Sequence, residues 1–233
     1  MELFIIRHGQ SLNNVLEDVS QRLADPPLTE IGEQQAERVG PYIAAGGHLF
    51  PAERDGRPIL DHLYTSAMIR TMQTAQPISK ALGLAAEIWV DIHEHGGIYL
   101  EHRDERGTVG YPGLGRSALL ERFPGYVLPD DFSEDGWWDV DKGAESVHVA
   151  HGRAIGVAAA LHNRRSENSR IGLVSHGGFI DSLLKALFDL LPSPALALEH
   201  QNTAITRLVF SSDGKIAMEF MNHTEHLPDE LLT

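Results

Sequence analysis

The sequence predicts an α/β protein: a three-layer α/β/α sandwich around a mostly parallel central sheet, with an antiparallel edge strand and an inserted lid segment. Three observations predict it. Short apolar runs of β-formers, Leu3 to Ile6 and Ile171 to Ser175 foremost, read as strands buried on both faces. Segments with helical spacing lie between such runs, and that alternation places helices on both sides of one sheet. Late in the chain, Thr203 to Phe210 and Lys215 to Asn222 alternate apolar and polar residues around Ser212-Asp213-Gly214, a hairpin signal that adds an antiparallel strand.

The elements follow in order. After the first strand, residues 13 to 23 have weak helical character and stop at the turn Asp25-Pro26-Pro27. Thr29 is placed to cap a helix with Glu30 and Glu33 in its first turn, where the dipole favours acids. Ile31, Gln35, Val39 and Ile43 form its stripe, and Gly40-Pro41 is expected to bend or end it. Residues 44 to 58 read as a loop, and residues 59 to 65 as a second strand. Ser66 is placed to cap a helix carrying Ile69, Met72, Ala75, Ile78 and Leu82, kinked by Pro77 and stopped by Gly83. Glu87 to Ile92 reads as a third strand. From 96 to 143 the periodicity dissolves, apart from a short helix at 117 to 123, which is the behaviour of a lid or binding loop. Glu145 to His162 and Ile180 to Leu191 are the remaining helices.

The chain has 233 residues, which reads as one domain spanning 1–233 with the lid inserted at 96–143. A formal net charge of -14 argues against nucleic acid and acidic membranes as partners, since the field repels phosphate backbones. No cysteine is present, which excludes disulfides and thiolate chemistry. Neither a signal peptide nor a membrane span is visible, so a cytoplasmic location is expected. Nothing in the pattern speaks to oligomeric state.

Four pieces fall just beyond expected strands: Arg7-His8, Arg70, Glu94 and His176-Gly177. Strands of a parallel sheet share one carboxyl edge, where ligands gather, so these groups should face one cleft. Taken singly, Arg70 reads as an ion-pair partner, Glu94 as a solvated acid and His176 as a core histidine. Together they make a phosphate site. Two guanidiniums grip oxygens bidentately, and the amides of Gly9 and Gly177 add donors. One neutral imidazole can attack phosphorus while the other stabilises the oxygens, and Glu94 can protonate the leaving oxygen. This chemistry needs neither metal nor cofactor. A metal site at His93, Glu94, His95 and His102 lacks an evident third ligand on one face. Trp137 and Trp138 read as lid packing, and Arg103, Arg106, Arg116 and Arg122 as solvated lid charges.

These motifs resemble the histidine phosphatase superfamily, the phosphoglycerate mutase-like proteins. The likeness is carried by Arg7-His8-Gly9-Gln10-Ser11 with Asn14, by residues 28 to 36, and by residues 64 to 75 including Arg70. His93-Glu94-His95-Gly96, Val174 to Gly178 and Asn202-Thr203 complete it. The resemblance implies phosphorylation of His8, a phosphate pocket of Arg7, Arg70 and His176, contact from Asn14 and Ser11, and proton donation by Glu94. Glu101 or Glu105 could take the donor's place. The expected activity is metal-independent hydrolysis of a small phosphomonoester. The alternatives are a phosphoglycerate mutase, disfavoured because residues 96 to 143 lack the Leu-Asn-Lys and Arg-Arg-Ser patterns of that role, and a non-catalytic phosphate-binding module.

Overall fold

Leu3 and Ile5 point to one face of a central sheet while Phe4 and Ile6 point to the other, and each face finds its own helical cover. The computed structural model describes residues 1–233. Its first strand, β1 (Glu2–Arg7), is followed by α1 (Glu30–Ala44), β2 (His62–Thr65), α2 (Ile69–Leu82) and β3 (Ala86–Ile88). Then come β4 (Tyr99–Glu101), β5 (Thr108–Gly110), α3 (Arg116–Arg122), α4 (Val147–Asn163), β6 (Arg170–Ser175) and α5 (Gly177–Leu187). The strands β7 (Ile205–Phe210) and β8 (Ile216–His223) close the sheet.

Strand order is β3-β2-β6-β1-β7-β8, and β4 pairs only with β5. β1, β6, β2 and β3 run parallel. The antiparallel strand expected at the edge is β7; β8 pairs beyond it and forms the edge itself. Phe4, Ile6, Leu63 and Val174 pack with Val39 and Ile43 of α1 and Ala75 and Ile78 of α2. Leu3, Ile5, Ile171 and Leu173 pack with Val157 and Leu161 of α4 and Phe179 and Leu183 of α5. Burying each such side chain contributes about 1.5 to 3 kcal/mol.

Several local expectations change. Thr29 does cap α1, its hydroxyl accepting from Gly32 N at 3.0 Å. Yet α1 runs through Gly40-Pro41, and α2 runs through Pro77. A Cβ on Gly40 would stand 2.7 Å from the Pro77 carbonyl, so the two helices touch backbone to backbone there. Residues 13 to 23 form two single 3-10 turns, Leu12–Asn14 and Val19–Gln21, because no apolar stripe holds a longer helix. The third strand stops at Ile88, and a 3-10 turn at Val90–Ile92 then carries the chain to Glu94. Within 96–143 lies a two-stranded antiparallel ribbon, followed by α3. Leu119, Phe123, Tyr126 and Phe132 of this segment join the core on the α2 side. No helix is long and apolar enough to cross a membrane.

Candidate active site

β1 ends at Arg7, and the next backbone step is held from three sides. His8 N donates to the Ser175 carbonyl at the end of β6 (2.9 Å), while Asn202 Nδ2 donates to the His8 carbonyl (2.8 Å). Thr203 N donates to the Arg7 carbonyl at 3.1 Å, and Thr203 adopts a φ of 57° to do so. A β-branched residue in that region is strained, so the surrounding bonds must over-determine it. The Thr233 hydroxyl donates to Asn202 Oδ1 at 3.1 Å, and Gln35 Nε2 donates to Thr233 Oγ1 at 2.8 Å. Gln35 Oε1 in turn accepts from Gln10 N at 2.8 Å. A ring of hydrogen bonds therefore clamps the loop on both sides of His8.

The imidazole itself has one assignable tautomer. His8 Nδ1 lies 2.6 Å from the Gly9 carbonyl, which can only accept, so Nδ1 carries the proton and Nε2 keeps its lone pair. Arg70 Nε donates to that Nε2 at 3.2 Å. Burial first, then the charges of Arg70 and Arg7, hold His8 well below the ordinary histidine range. At neutral pH the ring is an uncharged nucleophile.

Arg7, His8, Arg70 and Glu94 line one cavity of about 200 Å³ with Ser11 and Asn14, as the strand-end reading expects. Ser11 N and Oγ both donate to Asn14 Oδ1 at 2.9 Å, which leaves the Asn14 amide protons for a ligand. Glu94 accepts from Phe179 N at 3.0 Å and Gly178 N at 3.3 Å, at the start of α5, and from His95 N at 2.9 Å. It is the acid of this cavity; Glu101 lines a neighbouring one. Arg7 donates through Nη1 to the His200 carbonyl, while its buried Nε has no partner.

His176 is fully buried, its ring centroid 5.2 Å from that of His8. Its Nε2 lies 2.8 Å from Ser66 Oγ, and its Nδ1 has no partner. Ser66 is therefore tied to His176; Met68 occupies the N-cap position of α2. Burial, then Arg70 and His8, also holds His176 neutral. His176 sits beside His8 but does not line the 200 Å³ cavity, which differs from the strand-end expectation; its Nδ1 and Arg7 Nε are both buried without partners.

Two expected amide donors are placed otherwise. Gly9 N donates to Thr74 Oγ1 at 3.0 Å, so it is not free for an anion. A Cβ on Gly9 would stand 2.6 Å from the Gly32 carbonyl: this glycine serves the close approach of β1's end to α1, not of a ligand. Gly177 does not open into the phosphate-sized cavity; it lies against Arg7 and His200 in an adjoining hollow.

Asp25 was legible only as a turn residue. Its carboxylate accepts from Ile69 N at 3.1 and 3.3 Å, and lies 3.8 Å from Arg70 Nη1. Burial raises it to about 6, with Arg70 and the Ile69 amide opposing. His95, which the sequence marks only as part of the His93-Glu94-His95-Gly96 motif and of a weighed metal site, also lines the cavity, as does Arg22, which nothing in the sequence marks.

The protein is thus a three-layer α/β fold that gathers paired neutral imidazoles and two guanidiniums at the carboxyl edge of its sheet. The family model of the histidine phosphatase superfamily (branch 1) matches residues 3–224, and the chain belongs to that family. The probable phosphoglycerate mutase GpmB of Photorhabdus laumondii is 27% identical over 96% of this chain and 92% of its own. A mutant phosphoserine phosphatase of Entamoeba histolytica, in complex with phosphoserine, is similar at TM-score 0.61 and 22% identity, covering 97% of this chain and 99% of that one. A mycobacterial glucosyl-3-phosphoglycerate phosphatase, in complex with VO3, is similar at TM-score 0.59 and 22% identity over 96% and 99% of the two chains. Those structural likenesses establish the fold.

Proposed function

We propose that this chain hydrolyses small phosphomonoesters through a phosphohistidine on His8, without a metal. The observation that carries the reading is the His8 tautomer: Nδ1–H bound to the Gly9 carbonyl, Nε2 keeping its lone pair beside Arg7, Arg70 and Glu94. His8 Nε2 bonds to phosphorus as the ester P–O bond breaks, and Glu94 gives its proton to the departing oxygen. Water then attacks phosphorus, Glu94 takes its proton, the P–N bond breaks, and phosphate leaves with His8 neutral again. Arg7, Arg70, Asn14 and His176 stabilise the equatorial oxygens, which requires Arg70 to exchange its bond to Nε2 for one to phosphate. Residues 96–143 act in this reading as an inserted lid beside the leaving group.

Mutase activity is the second reading, favoured by the curated relatives named for it. The missing Leu-Asn-Lys and Arg-Arg-Ser patterns in 96–143 support hydrolysis. The test mixes protein with p-nitrophenyl phosphate and quenches. Acid-labile phosphate on the parent, its loss in His8→Ala, and turnover in EDTA are expected. Undiminished turnover by His8→Ala removes the mechanism. Interconversion of phosphoglycerates stimulated by bisphosphoglycerate would move the protein to the mutases, and phosphate binding without turnover to the binding modules.

A further inference from the structure

Behind the turn that carries Glu94 lies a cavity of about 860 Å³, walled by α4, by Trp137 and Trp138, and by the chain from Val90 to His93; it shares no residue with the phosphate-sized one. The turn is tied to these walls. Glu145 N donates to the Gly96 carbonyl at 3.0 Å, and a Cβ on Gly97 would stand 2.3 Å from the Trp138 ring.

Two features of this cavity have no account within the chain. The first is a buried nitrogen. His93 is 4% exposed, and its Nδ1 lies 2.7 Å from the Val90 carbonyl, which can only accept, so Nδ1 carries the proton. Nε2 keeps its lone pair, has no partner, and stands 3.8 Å from Glu145 Oε2, a second acceptor. Burial holds the ring at about 4, so at neutral pH it has no proton to give that carboxylate. Glu145 is already neutralised by Arg153, which donates through Nε at 3.0 Å and Nη2 at 2.6 Å, and Arg153 Nη1 donates to the Asp91 and His93 carbonyls. The second feature is the floor. Gly152 and Gly156, one turn apart on the exposed side of α4, line the cavity, and a Cβ on either would meet nothing within 4 Å. Glycine weakens a helix interior more than any residue but proline, and no neighbour in the chain requires it here.

Two facing acceptors are satisfied by one donor, and a bare helix face beside two indole rings suits a flat body. We infer that this cavity is a second ligand site, for an uncharged planar aromatic ring bearing an N–H or O–H group, with that donor shared between His93 Nε2 and Glu145 Oε2 and the ring lying on Gly152 and Gly156. An ammonium would meet Arg153 across Glu145, and a carboxylate would meet two lone pairs, so the occupant is neutral. Its binding does not depend on what the phosphate cavity turns over.

The test titrates the parent protein, followed by ligand-observed NMR, with indole and with benzofuran, the isostere in which oxygen replaces N–H. Indole is expected to bind about tenfold more tightly, because benzofuran leaves both buried acceptors unmet. Gly152→Leu should abolish indole binding by filling the floor, while the melting temperature holds or rises, since leucine is the better helix former. Saturating inorganic phosphate should leave indole bound. Equal affinities for the two compounds, binding of neither, indole binding that survives Gly152→Leu, or competition between indole and phosphate overturns the site.

Discussion

Replacing Asn202 by alanine tests whether the clamp on the His8 backbone serves catalysis. Asn202 is 2% exposed, and its Nδ2 is the close donor to the His8 carbonyl; the Thr203 amide reaches that oxygen only at 3.4 Å. Truncation leaves a buried carbonyl under-satisfied and removes the acceptor of the Thr233 hydroxyl, and an orphaned buried acceptor costs about 1 to 3 kcal/mol. At ~2 to 4 °C per kcal/mol for a chain of this size, melting should fall by roughly 2 to 12 °C. Because Nε2 must lie in line with the breaking bond, an ångström of drift costs about 100-fold. The expected result is a kcat for p-nitrophenyl phosphate lowered by about 10- to 100-fold with KM little changed. The same factor should appear in the rate of phosphohistidine formation. Asn202→Asp should do at least as badly, since a carboxylate would face the carbonyl it should donate to. A lowered melting temperature with unchanged kcat would show that the clamp only stabilises, and the positioning argument would fail.

Three further outcomes follow from the same geometry. Arg70→Ala removes a cavity guanidinium and the donor to His8 Nε2, and kcat/KM should drop about 100- to 1,000-fold; less than tenfold would assign the charge stabilisation elsewhere. Gly32→Ala drives a Cβ to 2.0 Å from the Gln10 carbonyl, so the loop after His8 must shift; a loss of at least about 2 kcal/mol in urea unfolding is expected, and an unchanged midpoint refutes that close approach. Burial holds His48 at about 3 and His93 and His226 at about 4, so below pH 6.5 the unfolded chain takes up protons that the native state refuses. From pH 7 to 5 these three destabilise the fold by about 5 to 6 kcal/mol, while Asp25, raised to about 6, binds its proton first in the folded state and returns about 1 kcal/mol. A urea midpoint at pH 5 equal to that at pH 7 would contradict this balance.

Strands β1 and β6 and the β7–β8 hairpin are legible because uninterrupted or alternating apolar runs have few other uses. Arg7, His8, Arg70, Glu94 and His176 are legible for a related reason: each follows such a run, and a parallel sheet gathers strand ends. What escapes depends on partners distant in the chain. Ser66 stands where a cap belongs, but its hydroxyl meets His176, 110 residues away. Gly40-Pro41 and Pro77 look like helix breakers, yet both helices run through them and touch where Gly40 meets the Pro77 carbonyl. The β4–β5 ribbon has strands of three residues, too short for any periodicity to register. Buried Arg170 and Arg207, held by Glu2 and Glu53 at the other end of the sheet, show no pattern at all in one dimension.

Strand order has a consequence for how the protein is made. β1 lies between β6 and β7, and its pairing with β6 begins with Glu2 opposite Arg170, a separation of 168 residues. On a ribosome adding ~5 to 20 residues per second, the apolar run that ends in Arg7-His8 waits about 8 to 34 s for its neighbour to emerge. Throughout that interval it is an unpaired, sticky ribbon, and a holding chaperone would find its best client there.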